Sequence, residues 1–129
     1  MKNFGVRNDE VRKEMTKNEV HQFLEQQFQT KTIHSEYGMC ELLSQAYSKG
    51  NEIFQTPPWM KIFIRDVNDP LSLMPIGKSG GINIIDLANR DSCAFIATQD
   101  LGVLLPEGDF KILGRFDNSD LRGCNLLVI

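Results

Sequence analysis

The sequence predicts an α+β fold in which two or three N-terminal helices pack on a mainly antiparallel sheet or small β-sandwich. Three observations point there. Apolar residues recur at helical spacing up to about residue 50. The pair Pro57-Pro58 then excludes further helix. From Trp59 the period falls to two, in short strands separated by tight polar turns. Such short connections imply antiparallel pairing, because parallel neighbours need crossovers of about a dozen residues or more. The 129 residues are expected to form a single domain, helical over 1–56 and β over 59–129.

Residues 1–8 read as a loose arm. From Asp9 to about Thr30 the chain is rich in Glu, Lys and Gln and helical in character, and Thr16-x-x-Glu19 has the pattern of a capping box, so the segment is either one helix or two meeting near Thr16. Val20, Phe23, Leu24 and Phe28 fall on one helical stripe, the pattern of a core-facing surface. A further helix is predicted after Ser35, a plausible N-cap, with Met39, Leu42, Leu43 and Ala46 as its buried face and Lys49-Gly50 as its stop.

In the β part, Met60, Ile62 and Ile64 alternate with Lys61, Phe63 and Arg65, as in a half-buried strand. Residues 66–81 read as a loop with Pro70, Pro75 and Gly77-Lys78-Ser79-Gly80-Gly81. Strands follow near 82–87, 93–97, 101–105, 110–116 and 124–128. The turns between them are Asn89-Arg90-Asp91, Thr98-Gln99-Asp100, Pro106-Glu107-Gly108-Asp109 and Asn118-Ser119-Asp120.

Composition narrows the function classes. A net charge of −3 argues against a nonspecific grip on nucleic acid, which needs clustered Lys and Arg. No apolar run approaches the roughly 18 residues of a membrane span, so a cytoplasmic protein is expected. Cys40, Cys93 and Cys124 make an odd count without a C-x-x-C pair, and read as reduced, partly buried thiols. His21 and His34 have no companion spacing for a metal site, and none is expected. Gly77-Lys78-Ser79 lacks the upstream glycine of a phosphate loop, where Ser72 stands; Lys78 with the glycine amides remains a candidate anion contact. Arg65, ending a strand, is a candidate for bidentate capture of a phosphate or carboxylate, against a surface salt bridge to Asp66 or Asp69. The turn acids Glu107, Asp109, Asp117 and Asp120 are candidate interaction residues.

Two pieces of the chain resemble the ADP-ribosyltransferases of T-even-type phages. The first runs from Leu42-Leu43-Ser44-Gln45-Ala46-Tyr47-Ser48-Lys49-Gly50 to the strand carrying Arg65. The second is Gln99 to Arg115, an apolar strand closed by Pro-x-Gly and followed by another strand. The resemblance implies that Arg65, with Gln99 and Asp100 as further ligand-binding candidates beside the loop residue Lys78, holds NAD or an NAD-derived nucleotide. It also implies loss of transfer chemistry, because Gly102 stands where the family has the second Glu of Glu-x-Glu, Asp66 replaces the Gly after the Arg, and the Ser-Thr-Ser strand is missing.

The expectation is therefore a small, non-catalytic interaction protein of phage or mobile-element type. It would bind a protein partner and modulate or inhibit a bacterial host or defence protein. One alternative is an immunity protein or antitoxin whose acidic turns cover a toxin's basic site. The other is an active ADP-ribosyltransferase or NAD glycohydrolase in which Asp100 or Glu107 replaces the lost Glu. Exposed C-terminal strands are a possible seam for a homodimer.

Overall fold

The structure, a computed structural model, describes residues 15–116. The predicted N-terminal arm, the first part of the first helix, Asp117, Asp120, Cys124 and the strand near 124–128 lie outside the described residues. The chain divides into two compact units, Met1–Ile33 and His34–Ile129.

The first unit contains one α-helix, α1 (Lys17–Phe28). Its start follows from the capping box: Glu19 N donates to Thr16 Oγ1 at 3.3 Å, and Thr16 N donates to Glu19 Oε2 at 2.7 Å. These bonds also hold the Glu19 carboxyl below its usual pKa, the backbone bond from Thr16 contributing most. The helix ends at Gln29 in the left-handed region (φ 51°). None of its residues is buried, so the stripe expected to face a core stands exposed at Val20, Phe23 and Phe28.

The second unit is a seven-stranded, wholly antiparallel sheet among the described residues. Its strands are β1 (Ser35–Tyr37), β2 (Ala46–Ser48), β3 (Phe54–Gln55), β4 (Met60–Arg65), β5 (Ser79–Asp86), β6 (Phe95–Leu104) and β7 (Phe110–Arg115), in the order β1-β2-β3-β7-β6-β5-β4. The expected α+β fold is thereby corrected: the described residues hold one α-helix and are mostly β. The predicted second helix is instead β1, an irregular connection and β2, with Ser35 paired to Ser48. Its apolar residues do satisfy a helical period. The burial, however, alternates: Leu42, Ser44, Ala46 and Ser48 are inside, while Leu43, Gln45 and Tyr47 are outside. Two of the four inward positions are serines, which hide a period-two pattern from any reading that counts only apolar residues.

β4 has the predicted alternation, with Met60, Ile62 and Ile64 buried. β5 begins earlier than predicted and takes in Gly80 and Gly81. A Cβ at Gly80 would collide with the Arg65 carbonyl oxygen, and one at Gly81 would lie 2.5 Å from Arg65 Cζ, so these glycines mark close approach across the β4–β5 pair rather than loop. The predicted strands 93–97 and 101–105 are one strand, β6. Its pairing to β5 jumps from Ala97↔Asn83 to Leu101↔Gly81, so Thr98-Gln99-Asp100 form a bulge instead of a turn. The turn into β7 lies at Pro106–Gly108, where Glu107 (φ 75°) and Gly108 (φ 88°) are both left-handed.

The core lies on one face of the sheet. Tyr37, Leu42, Ala46, Phe54, Met60, Ile62, Ile64, Ile82, Ile84 and Phe110 form one buried cluster. The rings of Tyr37, Phe54 and Phe110 pack at 5.6–6.2 Å between centroids. β7 sits in the middle of the sheet between β3 and β6, and the edges are β1 and β4. Of the described C-terminal strands, β6 is paired on both sides, and β7 is paired along β6 and to β3 at Phe110↔Phe54. The β4 edge is partly covered by the 66–74 loop, through Met74 N to Ile64 O and Asp66 N to Ser72 O.

Candidate functional site

The polar groups that converge on a cleft come from β1, the β1–β2 connection and the β6 bulge. Tyr37 ends β1 with its ring in the aromatic core, and its hydroxyl donates to Asp100 Oδ2 at 2.7 Å. Burial, reinforced by the Asp100 carboxylate, pushes the Tyr37 phenol well above its ordinary pKa, so it stays a neutral donor. Arg115, at the end of β7, pairs with Asp100 across the β6–β7 register, Nε to Oδ1 at 3.3 Å. The Arg115 side chain is 76% exposed and that of Asp100 only 14%.

The bulge makes this geometry. Thr98, buried, donates through Oγ1 to Ile82 O at 3.0 Å and accepts from Asp100 N at 3.0 Å. The extra residues of β6 are thereby tied down and Asp100 is set between Tyr37 and Arg115. The cleft, about 690 Å³, is lined by Tyr37, Gly38, Met39, Cys40 and Glu41 on one side and by Ile96, Ala97, Thr98, Gln99, Asp100 and Arg115 on the other.

Chemically, the arrangement offers three things. Asp100 has a fixed orientation, and its two oxygens have about four lone-pair sites, more than Tyr37 and Arg115 use. That leaves acceptor capacity for hydroxyl donors. The exposed Arg115 guanidinium suits an anion. Met39, Ile96 and Ala97 add apolar surface beside these groups.

The predicted site residues fall into four places. Gln99 and Asp100 both line the cleft. Arg65 does not. Its Nη1 donates to Ile82 O (3.0 Å) and Asn83 Oδ1 (2.8 Å), its Nη2 donates to Thr98 O (2.6 Å), and its guanidinium lies 5.5 Å from the Phe116 ring centroid. It joins β4, β5 and β6, and burial lowers its pKa. Lys78 stands exposed in the loop before β5, outside the cleft lining. Glu107 and Asp109 border a separate hollow of about 490 Å³ with Pro57, Pro58 and Lys61, and Asp109 accepts from Gln55 Nε2 at 3.4 Å. Gly102 is buried, and a Cβ there would lie 2.7 Å from Ile82 Cδ1 and 2.8 Å from Lys111 O. It is a packing glycine, not the vacated place of a carboxylate. Cys40 and Cys93, expected to be partly buried, are both exposed, Cys40 on the cleft wall.

Tyr37 and Arg115 were not among the predicted residues. Tyr37 fell in a segment read as the start of a helix, and Arg115 was read only as the end of a strand. Gly38 held the available signal, since a glycine inside a helix costs about 1 kcal/mol relative to alanine. Among the described residues no group of three or more His, Cys, Asp or Glu could hold a metal ion, and no helix is long and apolar enough to cross a membrane.

No protein-family model and no curated protein matches the chain. Solved structures do share its fold. o-Succinylbenzoate coenzyme A synthetase (MenE) from Bacillus subtilis, in complex with AMP, superposes with a TM-score of 0.55 at 22% identity, over 77% of this chain and 24% of that one. The luciferase-like enzyme of the nonluminescent mealworm Zophobas morio gives 0.54 at 18% identity, over 79% and 30%. ATP-bound MatB from Rhodopseudomonas palustris gives 0.51 at 19% identity, over 64% and 20%. At these identities the likeness is one of fold. The chain spans between a fifth and a third of the length of these structures. None of them is a phage ADP-ribosyltransferase, so the family suggested by Gln99–Arg115 is not borne out. The strand–Pro-x-Gly–strand block that carried that resemblance is β6, its turn and β7, an ordinary antiparallel hairpin.

Proposed function

We propose that the Tyr37–Asp100–Arg115 cleft binds an adenine nucleotide, and that the chain supplies a nucleotide-holding β module of the adenylate-forming type. The observation that carries this reading is Asp100, held from one side by a buried neutral phenol and from the other by an exposed arginine, at the mouth of a nucleotide-sized cleft. An oriented carboxylate accepts the paired hydroxyls of a ribose, and Arg115 beside it is placed for the phosphate. Met39, Ile96 and Ala97 offer apolar surface to a planar base. Support from the fold is that two of its structural neighbours were solved with AMP or ATP. Because the chain covers only part of those proteins, the proposal concerns nucleotide binding, not a ligase reaction.

Calorimetry or NMR titration with AMP and ATP tests it, with NAD as a comparison. Saturable AMP or ATP binding that weakens at least tenfold in Asp100→Ala and Arg115→Ala is the expected result. Absence of saturable binding at millimolar nucleotide, or binding that Asp100→Ala leaves intact, refutes the proposal.

A second reading, a protein that acts by binding a partner, is favoured by a different observation. A groove of about 400 Å³ is lined by Phe63, Leu73, Ile85, Phe95 and Ala97 and is almost wholly apolar. Phe95 is 71% and Leu73 59% exposed, an arrangement typical of interaction surfaces. Phe95→Asp, which leaves the core untouched, should abolish any partner association that proceeds through this groove.

A further inference from the structure

One wall of the cleft has no regular structure of its own. Gly38 to Glu41 belong to the connection between β1 and β2, yet they must hold their places if a nucleotide is to lie against them. That connection is fastened from beneath. Leu43 N and Ser44 N donate to Asp86 Oδ2 at 3.0 and 2.9 Å, and Ser44 Oγ donates to Asp86 Oδ1 at 2.6 Å. Asn89 Nδ2 donates to Glu41 O at 2.6 Å. Trp59 Nε1 donates to Ser44 Oγ at 2.9 Å. Asp86 is fully buried, and Ser44 and Asn89 are buried with it.

A carboxylate is a costly group to place in an apolar interior, and packing alone is served better by Leu or Ile. It offers one thing they lack, several directed acceptor sites on one rigid fork. Here these gather Leu43, Ser44 and, through its N–H at 3.1 Å, Ala88. We infer that Asp86 is a positioning residue for the cleft: through Leu43 and Ser44 it holds the Gly38–Glu41 wall in the geometry that receives the nucleotide. The inference rests on the nucleotide reading above. Asp86 itself does not line the cleft. Trp59, the only tryptophan of the chain, reports on the same network because its indole N–H ends on Ser44.

Asp86→Asn and Ser44→Ala test this in the full chain. Both are read by backbone hydrogen exchange, Trp59 emission and AMP titration. The expected result is exchange that quickens most at residues 38–45, altered Trp59 emission and AMP affinity reduced on the order of tenfold, as when the outer partner of a metal ligand is lost. Exchange in β4, β5 and β6 should rise no further than the overall loss of stability requires, and less than at 38–45. Ser44→Ala, which keeps the backbone donors, should show a smaller effect of the same kind and covers the case in which Asp86→Asn does not fold. Unchanged exchange at 38–45 overturns the inference. So does loosening spread evenly over the sheet, or a loosened wall with wild-type AMP affinity. If the wild-type chain binds no AMP, the nucleotide reading falls, and the exchange pattern alone decides whether Asp86 holds the wall.

Discussion

Arg65 separates a ligand-binding role from a structural one, and the structure gives the size of the difference. Arg65→Met keeps the aliphatic stem and removes three hydrogen bonds, to Ile82 O, Asn83 Oδ1 and Thr98 O. Hydrogen bonds from a charged donor are worth about 1.5–3 kcal/mol each in net stability. They do not add in full here, because the side chain is half-buried and water can reach some of the acceptors. Ile82 O also keeps its bond from Thr98 Oγ1. We expect a loss of about 2–4 kcal/mol. Lysine should restore little of it, since a single ammonium cannot span β5 and β6 as the planar fork does. In urea denaturation, with a slope of about 1–3 kcal/mol/M for a domain of this size, the midpoint should fall by roughly 1–2 M. A loss below about 0.5 kcal/mol, on the scale of an ordinary surface change, would refute the pinning role. So would a stable Arg65→Met protein that has lost AMP binding, because that pattern belongs to a residue that grips ligand.

Three further outcomes follow from the same coordinates. Burial raises the Asp86 pKa, but the bonds from Ser44, Leu43 and Ala88 outweigh it and hold the folded-state value below its ordinary level. Its contribution is therefore present above the unfolded carboxyl value of about 3.9 and is lost as pH falls through the lower folded value. Asp86→Asn should cost about 1.5–3 kcal/mol near neutrality, the scale of a hydrogen bond to a charged group, and flatten the acid limb of the stability curve below about pH 4, as followed by circular dichroism. Gly102→Glu, which restores the side chain that an ADP-ribosyltransferase would need, should cost at least about 3 kcal/mol, because Ile82 and the Lys111 carbonyl already fill that space; wild-type thermal stability would contradict the packing role. The raised Tyr37 pKa makes its contribution full below the free phenol value of about 10 and lost as pH climbs toward the folded value. Tyr37→Phe should flatten the alkaline limb of the stability curve above about pH 10, and an unchanged limb would contradict the buried Tyr37–Asp100 bond.

Local signals survived folding where their cause is local. The Thr16 capping box closes within four residues, and both of its bonds are present. The alternation of Met60, Ile62 and Ile64 became the buried face of β4, and Pro106-Glu107-Gly108 became the turn into β7. The failures share another cause. Residues 35–49 carry a helix-compatible apolar pattern, but their fate is set by partners far away in sequence: Asp86 for Leu43 and Ser44, and Asn89 for Glu41. Thr98-Gln99-Asp100 has the composition of a turn, and only the neighbouring strands β5 and β7 turn it into a bulge.

The same division runs through the site. Sequence by itself determined a β-rich second part, the Thr16 start of α1, and Gln99 and Asp100 as residues worth watching. It left Arg65 between a ligand contact and a surface salt bridge, because a strand-terminal arginine looks available to either. The tertiary structure decided otherwise, since Gly81 leaves room for the guanidinium to lie across the sheet and reach Thr98 O. It also brought Tyr37 to Asp100 across 63 positions of chain and set Arg115 opposite the same carboxylate. A pattern in sequence records which face of a strand or helix is apolar. It does not record which distant backbone group will complete a carboxylate's hydrogen bonds, and that choice is what makes this cleft.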